Sequence, residues 1–464
     1  MANLDSNLNV YRAGESKSEL VGRLSRETGS FEYDPAYLAS NTAAPISYSL
    51  PLRAEGYDGP AARPYFEGLL PEGNPRSAAA RLLEVCDDDY LSLLAGCGLE
   101  CAGNIIVAGE DGWQGETGRL RPSCEEFVDV RNLVNDLASC EATARINGAS
   151  HLALAGTQNK VGLFHDPSEH DLRRGWYRPT AGAPSTHVLK TAKRHNVPYL
   201  EFLCTRAAGM CGVPTVRVHL LDLGGPVLCS ERFDRVWMGA LPEGNRSGGN
   251  RSEGGEEPRL VRLHQEDLAQ ALGLLPSSKY AELEGGTART IAASIRERSA
   301  NPDADLKAFA RLSLFNYLVG NCDNHLKNLS VVFAPDSRTA GSHGMRLAPA
   351  YDIFCTTWFP AISREMGMAL GGERDIDAIG PEHLAAFAQD IGLNPAQFAE
   401  MCGELAGRID GAIDRAAHGA EGDFDELAWK AEDLHEDIAP RRRVLERAVG
   451  AAQDERRRSR YFDD

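Results

Sequence analysis

The sequence predicts an α+β protein of two lobes, a smaller strand-rich one followed by a larger, mainly helical one. Three observations carry that expectation. Strand-length apolar runs crowd between His151 and Arg235; a Gly/Ser/Glu-rich stretch spans Met238 to Pro258; beyond it, apolar residues recur at three- or four-residue intervals. The 464 residues, 42% hydrophobic and 25% charged, suit a soluble chain of about two to four domains. That balance excludes collagen, a coiled-coil rod and bulk disorder. No run of apolar residues is long enough for a membrane-spanning helix, so no membrane association is expected.

The elements follow in order. Residues 1–110 read as one subdomain, with short strands at Ile46–Leu52 and Asn104–Ala108 and a helix at Ser77–Val85 after the turn-forming GLLPEGNP of Gly68–Pro75. Residues 111–237 read as the small lobe. Its candidate strands are His151–Ala155, Lys160–Phe164, Thr186–Thr191, Thr215–Leu221 and Val227–Glu231, the last two joined by the hairpin signal DLGGP. A helix from Tyr199 to Cys211 interrupts them. Residues 238–258 are expected to be a flexible insertion. Residues 259–464 read as a helical lobe, led by the apolar stripe Leu306, Phe309, Leu312, Phe315 and Leu318 and broken by a strand at Leu329–Phe333 and an apolar run near Leu347. Strand-rich, then loop, then helical is the layout of a two-lobed enzyme, and ligands favour the junctions of such lobes.

Lys and Arg number 49 against 67 Asp and Glu, a net charge of −18, which disfavours general attraction to nucleic acid. The arginines at 441, 442, 443, 447, 456, 457, 458 and 460 read as a solvated helix end. Eleven cysteines without a metal-site spacing read as reduced, mostly buried thiols. The first ten residues, MANLDSNLNV, lack the features of a secretion signal, so a cytoplasmic location is expected.

Five fragments carry chemistry. In NCDNHLKN, Asp323 and Asn328 stand five apart, after a helix and before a strand. Phosphoryl transfer to a hydroxyl needs a carboxylate to take the proton and oxygen ligands to hold Mg²⁺, and kinase catalytic loops use Asp and Asn at this spacing. In AYDI, Asp352 lies 29 residues on, where a second metal contact belongs. In THVLK, Lys190 ends an apolar strand, and Glu201 opens the next helix as a candidate partner. In LAGTQNK, Gly156 permits close backbone approach while Thr157, Gln158 and Lys160 offer donors to phosphate. In SERFDR, a strand passing between lobes offers backbone to an adenine edge. Each fragment alone also describes an ordinary turn, cap or strand end; their order along the chain is what points to a nucleotide-dependent phosphotransferase.

The sequence resembles the HipA family, serine/threonine kinases that form the toxin half of type II toxin–antitoxin pairs. The resemblance rests on VGRL (Val21–Leu24), YDPAYLA (Tyr33–Ala39), SLPL (Ser49–Leu52), GLLPEG and CAGN in the N-terminal part, and on LAGTQNK, THVLK, SERFDR, HQEDLAQALG (His264–Gly273), GNCDNHLKN and LAPAYDI thereafter. It implies a protein-kinase-like fold with an extra N-terminal β/α subdomain on the small lobe, and use of ATP and Mg²⁺. It further implies Asp323 as proton acceptor, Asn328 and Asp352 as Mg²⁺ ligands, and Lys190 on the phosphates. Ala155, Gly156, Thr157, Gln158, Asn159 and Lys160 would cover the phosphates. Glu231, Arg232 and Phe233 would meet adenine, with His325 and Tyr351 beside the nucleotide. The implied partners are a protein with a Ser or Thr acceptor, in the family an aminoacyl-tRNA synthetase, and a HipB-like helix-turn-helix antitoxin that contacts operator DNA and represses the operon. Many members carry a self-phosphorylated Ser three residues before the loop glycine; here that residue is Ala153. A nucleotide-binding co-repressor without turnover and a small-molecule kinase are the alternatives compatible with the same fragments.

Overall fold

A computed structural model describes residues 7–14, 18–110, 113, 126–130, 137, 139–156, 158–179, 183–191, 196–238, 259–335, 343–419 and 425–462. The chain divides into two compact units. The first holds Met1–His195, Leu221–Pro276 and Val332–Ser342; the second holds Asn196–Leu220, Ser277–Val331 and His343–Asp464.

The first unit opens on an antiparallel sheet in the order β3-β2-β1-β4, with β1 at Leu8–Ala13, β2 at Ser18–Leu24, β3 at Phe31–Tyr33 and β4 at Ile105–Gly109. Alternating apolar residues (Leu8, Val10, Val21, Leu24, Phe31) face one side and pack on α1 (Pro35–Leu38), α2 (Gly59–Gly68), α3 (Gly73–Leu83) and α4 (Tyr90–Cys97). Asp34 and Asp58 cap α1 and α2, with proline in the first helical turn of each. The expected strand at Ile46–Leu52 is instead a turn-rich segment. Its tyrosine-lined bed explains this: Ile46 N donates to Tyr33 Oη at 3.0 Å, and the Tyr33 hydroxyl donates to Leu50 O at 2.5 Å. Strand-type ladders are replaced by side-chain partners.

A second sheet runs β5-β7-β6-β8-β10-β9, with β5 at Glu126–Phe127, β6 at Lys160–His165, β7 at Trp176–Arg178, β8 at His187–Lys190, β9 at Val218–Asp222 and β10 at Pro226–Glu231. Val161, Leu163, Leu189, Val227 and Cys229 build its core around Trp176. Helix α5 (Cys140–Ala149), capped by Ser139, lies between β5 and β6 in the chain. The expected strand at His151–Ala155 is reduced to two isolated parallel bridges, Leu152 to Glu100 and Gly156 to Pro71. With Gly156 at φ +106°, extended pairing cannot continue through the loop. Hairpin β11 (Arg235–Met238) and β12 (Arg259–Arg262), strand β13 (His264–Asp267) and the short α7 (Leu268–Ala271) follow. Of the expected insertion, residues 239–258 lie outside the described residues.

The second unit is mainly helical: α6 (Asn196–Met210), α8 (Thr287–Arg298), α9 (Pro302–Leu318), α10 (Pro381–Asp390), α11 (Pro395–His418) and α12 (Asp425–Phe462). Helix α9, capped by Asn301, buries nearly its whole circumference. Its apolar residues recur every three positions, and at 100° per residue such a row drifts around the helix instead of forming one stripe. Strand β14 (Ser330–Pro335) begins in this unit, followed by β15 (His343–Leu347), β16 (Glu365–Leu370) and β17 (Glu373–Asp375). Arg441 departs from the expected solvated arginine cluster: it is buried, donating through Nε to Leu318 O at 3.1 Å and pairing with Asp437. Free cysteines are mostly buried, Cys86 being exposed. Among the described residues no helix is long and apolar enough to cross a membrane.

Candidate active site

The residues singled out above fall in both units, and each set is described within its own. In the second unit, α9 is followed by Gly320, whose φ of +73° lets the chain leave the helix sharply. Asn321 then organises the loop. Its main-chain N–H donates to Asn316 O at 2.8 Å, and its Nδ2 donates to Asn316 Oδ1 at 3.0 Å. Its Oδ1 accepts from the Asp323 N–H at 3.1 Å, and Nδ2 also lies 3.5 Å from Asp352 O. One amide therefore joins the two acids that stand 29 residues apart.

Asp323 is held by its backbone: its carbonyl accepts from His325 N at 2.9 Å and from Asn328 Nδ2 at 2.7 Å. With Nδ2 so engaged, the amide oxygen is the end of Asn328 that can ligate. The Asp323 carboxylate is part-exposed and accepts a hydrogen bond from the Tyr280 hydroxyl. Asp352 adopts a left-handed conformation, φ 54°, that side chains other than glycine rarely take. The segment before it is pinned on both sides: Ala350 exchanges hydrogen bonds with Pro214 O (2.8 Å) and Val216 N (3.0 Å). The Tyr351 hydroxyl donates to Lys327 O at 2.9 Å and lies 2.6 Å from Ser330 Oγ, so it ties AYDI to the end of the NCDNHLKN loop. His325 is buried, with Nδ1 lacking a hydrogen-bond partner. Burial first, then the charges of Lys279 and Lys327, push its imidazole down to about 3. It is neutral at physiological pH, so its 3.7 Å approach to Asp323 is no ion pair. Glu201 is buried on α6. An amide oxygen and a carboxylate are hard donors suited to Mg²⁺, which keeps water and substrate oxygens in its other positions.

In the first unit, Lys190 ends β8 and stands directly opposite Lys160 of β6. Directly opposed residues in an antiparallel pair share a face, and like charges there repel. Two ammonium groups so placed suit a polyphosphate. Lys160 also lies over the loop glycine: a Cβ at Gly156 would come within 2.8 Å of its Nζ. Gly156 O accepts from Glu72 N at 3.0 Å, so the loop is clamped by the GLLPEG segment. Ala155 and Gln158 are half-buried; Thr157 lies outside the described residues. Asn159 faces α5, donating to Leu137 O (3.2 Å) and accepting from the Cys140 thiol (2.8 Å), and so is engaged away from the loop's outer face. Ala153 is fully buried, its N–H bonded to Glu100 O at 2.9 Å.

The SERFDR strand end is anchored by its own side chains. The Arg232 guanidinium turns inward, donating to Glu100, Ser185, Cys101 O and Asp234 at 2.8–3.0 Å. Any nucleotide contact of Arg232 is thereby confined to its main chain. Glu231 and Phe233 flank it, half-buried. Around Arg232, Glu100 also pairs with Arg235 at 2.9 Å and Arg262 at 3.2 Å, and Asp234 pairs with Arg235 at 3.0 Å. Burial raises both acids' proton affinity, but the surrounding guanidiniums outweigh it and hold both carboxyls below the usual range. Sequence reasoning passed over Glu100, Asp234, Arg235, Arg262, Asn321 and Tyr280. The charged run of SERFDR was the only local signal, and nothing near Tyr280 marks it.

A model of the HipA-like C-terminal domain matches residues 152–413, and one of the HipA N-terminal domain matches residues 15–108. The Y4mE protein of Sinorhizobium fredii, which carries a kinase name, is 30% identical over 391 residues, 83% of this chain and 86% of its own. The Shewanella oneidensis serine/threonine-protein kinase toxin HipA is 30% identical over 382 residues, 80% of each chain. A solved structure of the Shewanella oneidensis MR-1 toxin–antitoxin system HipA, HipB and its operator DNA complex aligns with a TM-score of 0.72 at 24% identity. It covers 96% of this chain and 99% of the matched chain, a likeness of fold.

Proposed function

The chain belongs to the HipA family of kinase toxins, and on that premise we propose that it transfers the terminal phosphoryl group of ATP, with Mg²⁺, to a serine or threonine hydroxyl of a protein. The observation that supports this most is the Asn321 amide, which gathers Asp323 and Asp352 at one loop. Asp323 accepts the proton of the attacking hydroxyl as the bond to phosphorus forms. Asn328 and Asp352 hold Mg²⁺, which when bound offsets charge on the phosphates. Lys190 and Lys160 meet phosphate oxygens, with the backbone of Ala155 to Gln158 over them. The main chain of Glu231 to Phe233 meets adenine. Catalysis is then mostly positioning and electrostatics.

Residues 1–110 serve as the appended N-terminal subdomain, 111–237 as the nucleotide lobe, 238–258 as an insertion and 259–464 as the catalytic lobe; the N-terminal family match at residues 15–108 supports the first of these. The protein acts in the cytoplasm on a translation-related target such as an aminoacyl-tRNA synthetase, inhibiting growth. A HipB-like antitoxin binds it and carries most of the operator contact through which the pair represses its operon, as the net charge of −18 favours.

The test uses purified protein and labelled ATP. Asp323→Asn is expected to lower transfer by about a thousandfold while leaving ATP affinity near wild type. Transfer at the wild-type rate removes Asp323 from the mechanism. Phosphoproteomics after brief expression, wild type against Asp323→Asn, identifies the target.

A further inference from the structure

The carboxylate assigned as proton acceptor already carries a hydroxyl. Tyr280 donates its phenolic O–H to Asp323 Oδ1. An acceptor Ser or Thr has to present its O–H to this same carboxylate, so the phenol makes the contact that the substrate needs. An ionised carboxylate only accepts hydrogen bonds, so the phenol is the donor of the pair.

The contact is built by the fold. Tyr280 follows a single 3₁₀ turn at Pro276–Ser278, and its segment runs alongside the catalytic loop. Leu326 N donates to Lys279 O at 3.2 Å, and Arg374 Nη1 donates to Tyr280 O at 3.1 Å. The ring meets His325 edge-on, centroids 4.9 Å apart at 84°. Asp323 does not depend on it for position, since its N–H and C=O are fixed by Asn321, His325 and Asn328. The pair is also open to an incoming acceptor: Tyr280 is 43% exposed and the Asp323 side chain 38%.

We infer that the Tyr280 hydroxyl occupies the acceptor-hydroxyl position on Asp323 in the resting enzyme and so screens acceptors. The inference rests on the reading of Asp323 as the proton-accepting carboxylate. Water gains nothing by displacing a hydrogen bond to a charged group except the same bond in return. A protein acceptor brings further contacts that carry the exchange. Tyr280 therefore suppresses loss of phosphoryl groups to water and favours macromolecular acceptors.

The experiment compares full-length wild type, Tyr280→Phe and Asp323→Asn. Two rates are read: ATP hydrolysis without acceptor, and transfer to dephosphorylated casein as a generic Ser/Thr probe. Tyr280→Phe is expected to raise acceptor-free hydrolysis about tenfold and to lower KM for casein without lowering kcat. Asp323→Asn is expected to abolish both rates. If Tyr280→Phe leaves hydrolysis and KM unchanged, or lowers kcat at constant KM as a residue that merely steadies the carboxylate would, the inference falls while the Asp323 reading stands. If Asp323→Asn retains wild-type rates, that reading falls and takes the inference with it.

Discussion

His325 shows how much one residue's behaviour depends on neighbours distant in the chain. The motif NCDNHLKN puts a histidine two residues after Asp323. In the fold its imidazole is buried, crowded by Lys279, and held down to about 3. In the unfolded chain it titrates near 6.5. The unfolded state therefore takes up the proton first, and the histidine's contribution to stability is complete above about pH 6.5 and lost progressively as pH falls from there towards 3. A tenfold difference in proton affinity between the two states is worth about 1.4 kcal/mol. Replacing His325 with Gln is expected to flatten the acid limb of stability in that window. Urea unfolding at a series of pH values checks it, and an unaltered slope between pH 6.5 and 4 counts against a neutral, buried imidazole. The motif made the position legible, but its protonation state is set by burial and by Lys279, 46 residues upstream. Tyr280 is a plainer case: no spacing rule connects a tyrosine to a carboxylate 43 residues on.

At the scale of elements, the turn between β10 and β11 is anchored by charge. Glu100 sits under it, paired with Arg232, Arg235 and Arg262. Through its main chain Glu100 also bonds to His151 O (3.1 Å) and Ala153 N (2.9 Å), just before the LAGTQNK loop. Glu100→Gln is expected to cost about 3–5 kcal/mol of unfolding free energy, because buried guanidiniums lose their countercharge. Denaturant titration reads this directly; a change below about 1 kcal/mol would mean that the neighbouring Asp234 is sufficient. Several elements were visible beforehand because their signals are local. Strands β6, β8 and β10 and helices α6 and α9 announce themselves by apolar runs and periodicity. The segments at Ile46–Leu52 and His151–Ala155 share that lettering, yet form no strands. Tyr33 supplies partners to the first, and Gly156 breaks the second. Neither influence is visible within the segment itself.

For the whole molecule, the decisive quantity is charge. A net charge of −18 sets a general repulsion from nucleic acid, and of the arginines near the C-terminus Arg441 and Arg442 are occupied by Asp437 and Asp410. The chain alone is expected to leave an operator fragment unshifted in a gel at about 150 mM salt, and to join a shifted complex only when a basic helix-turn-helix partner is added. Retardation by the chain alone would show that it carries a DNA surface of its own.

The α+β class, the order of strand-rich and helical parts, and the spacing of Gly156, Lys190, Asp323, Asn328 and Asp352 were determined by sequence, because turns, strand alternation and loop motifs are encoded within a few residues. Tertiary structure alone decided that Lys190 opposes Lys160, that Asn321 gathers two acids, that Tyr280 covers Asp323 and that Arg232 is turned inward to Glu100. Those partners meet only when segments up to 132 residues apart pack together. Burial then fixes which charges survive, and no local pattern carries that information.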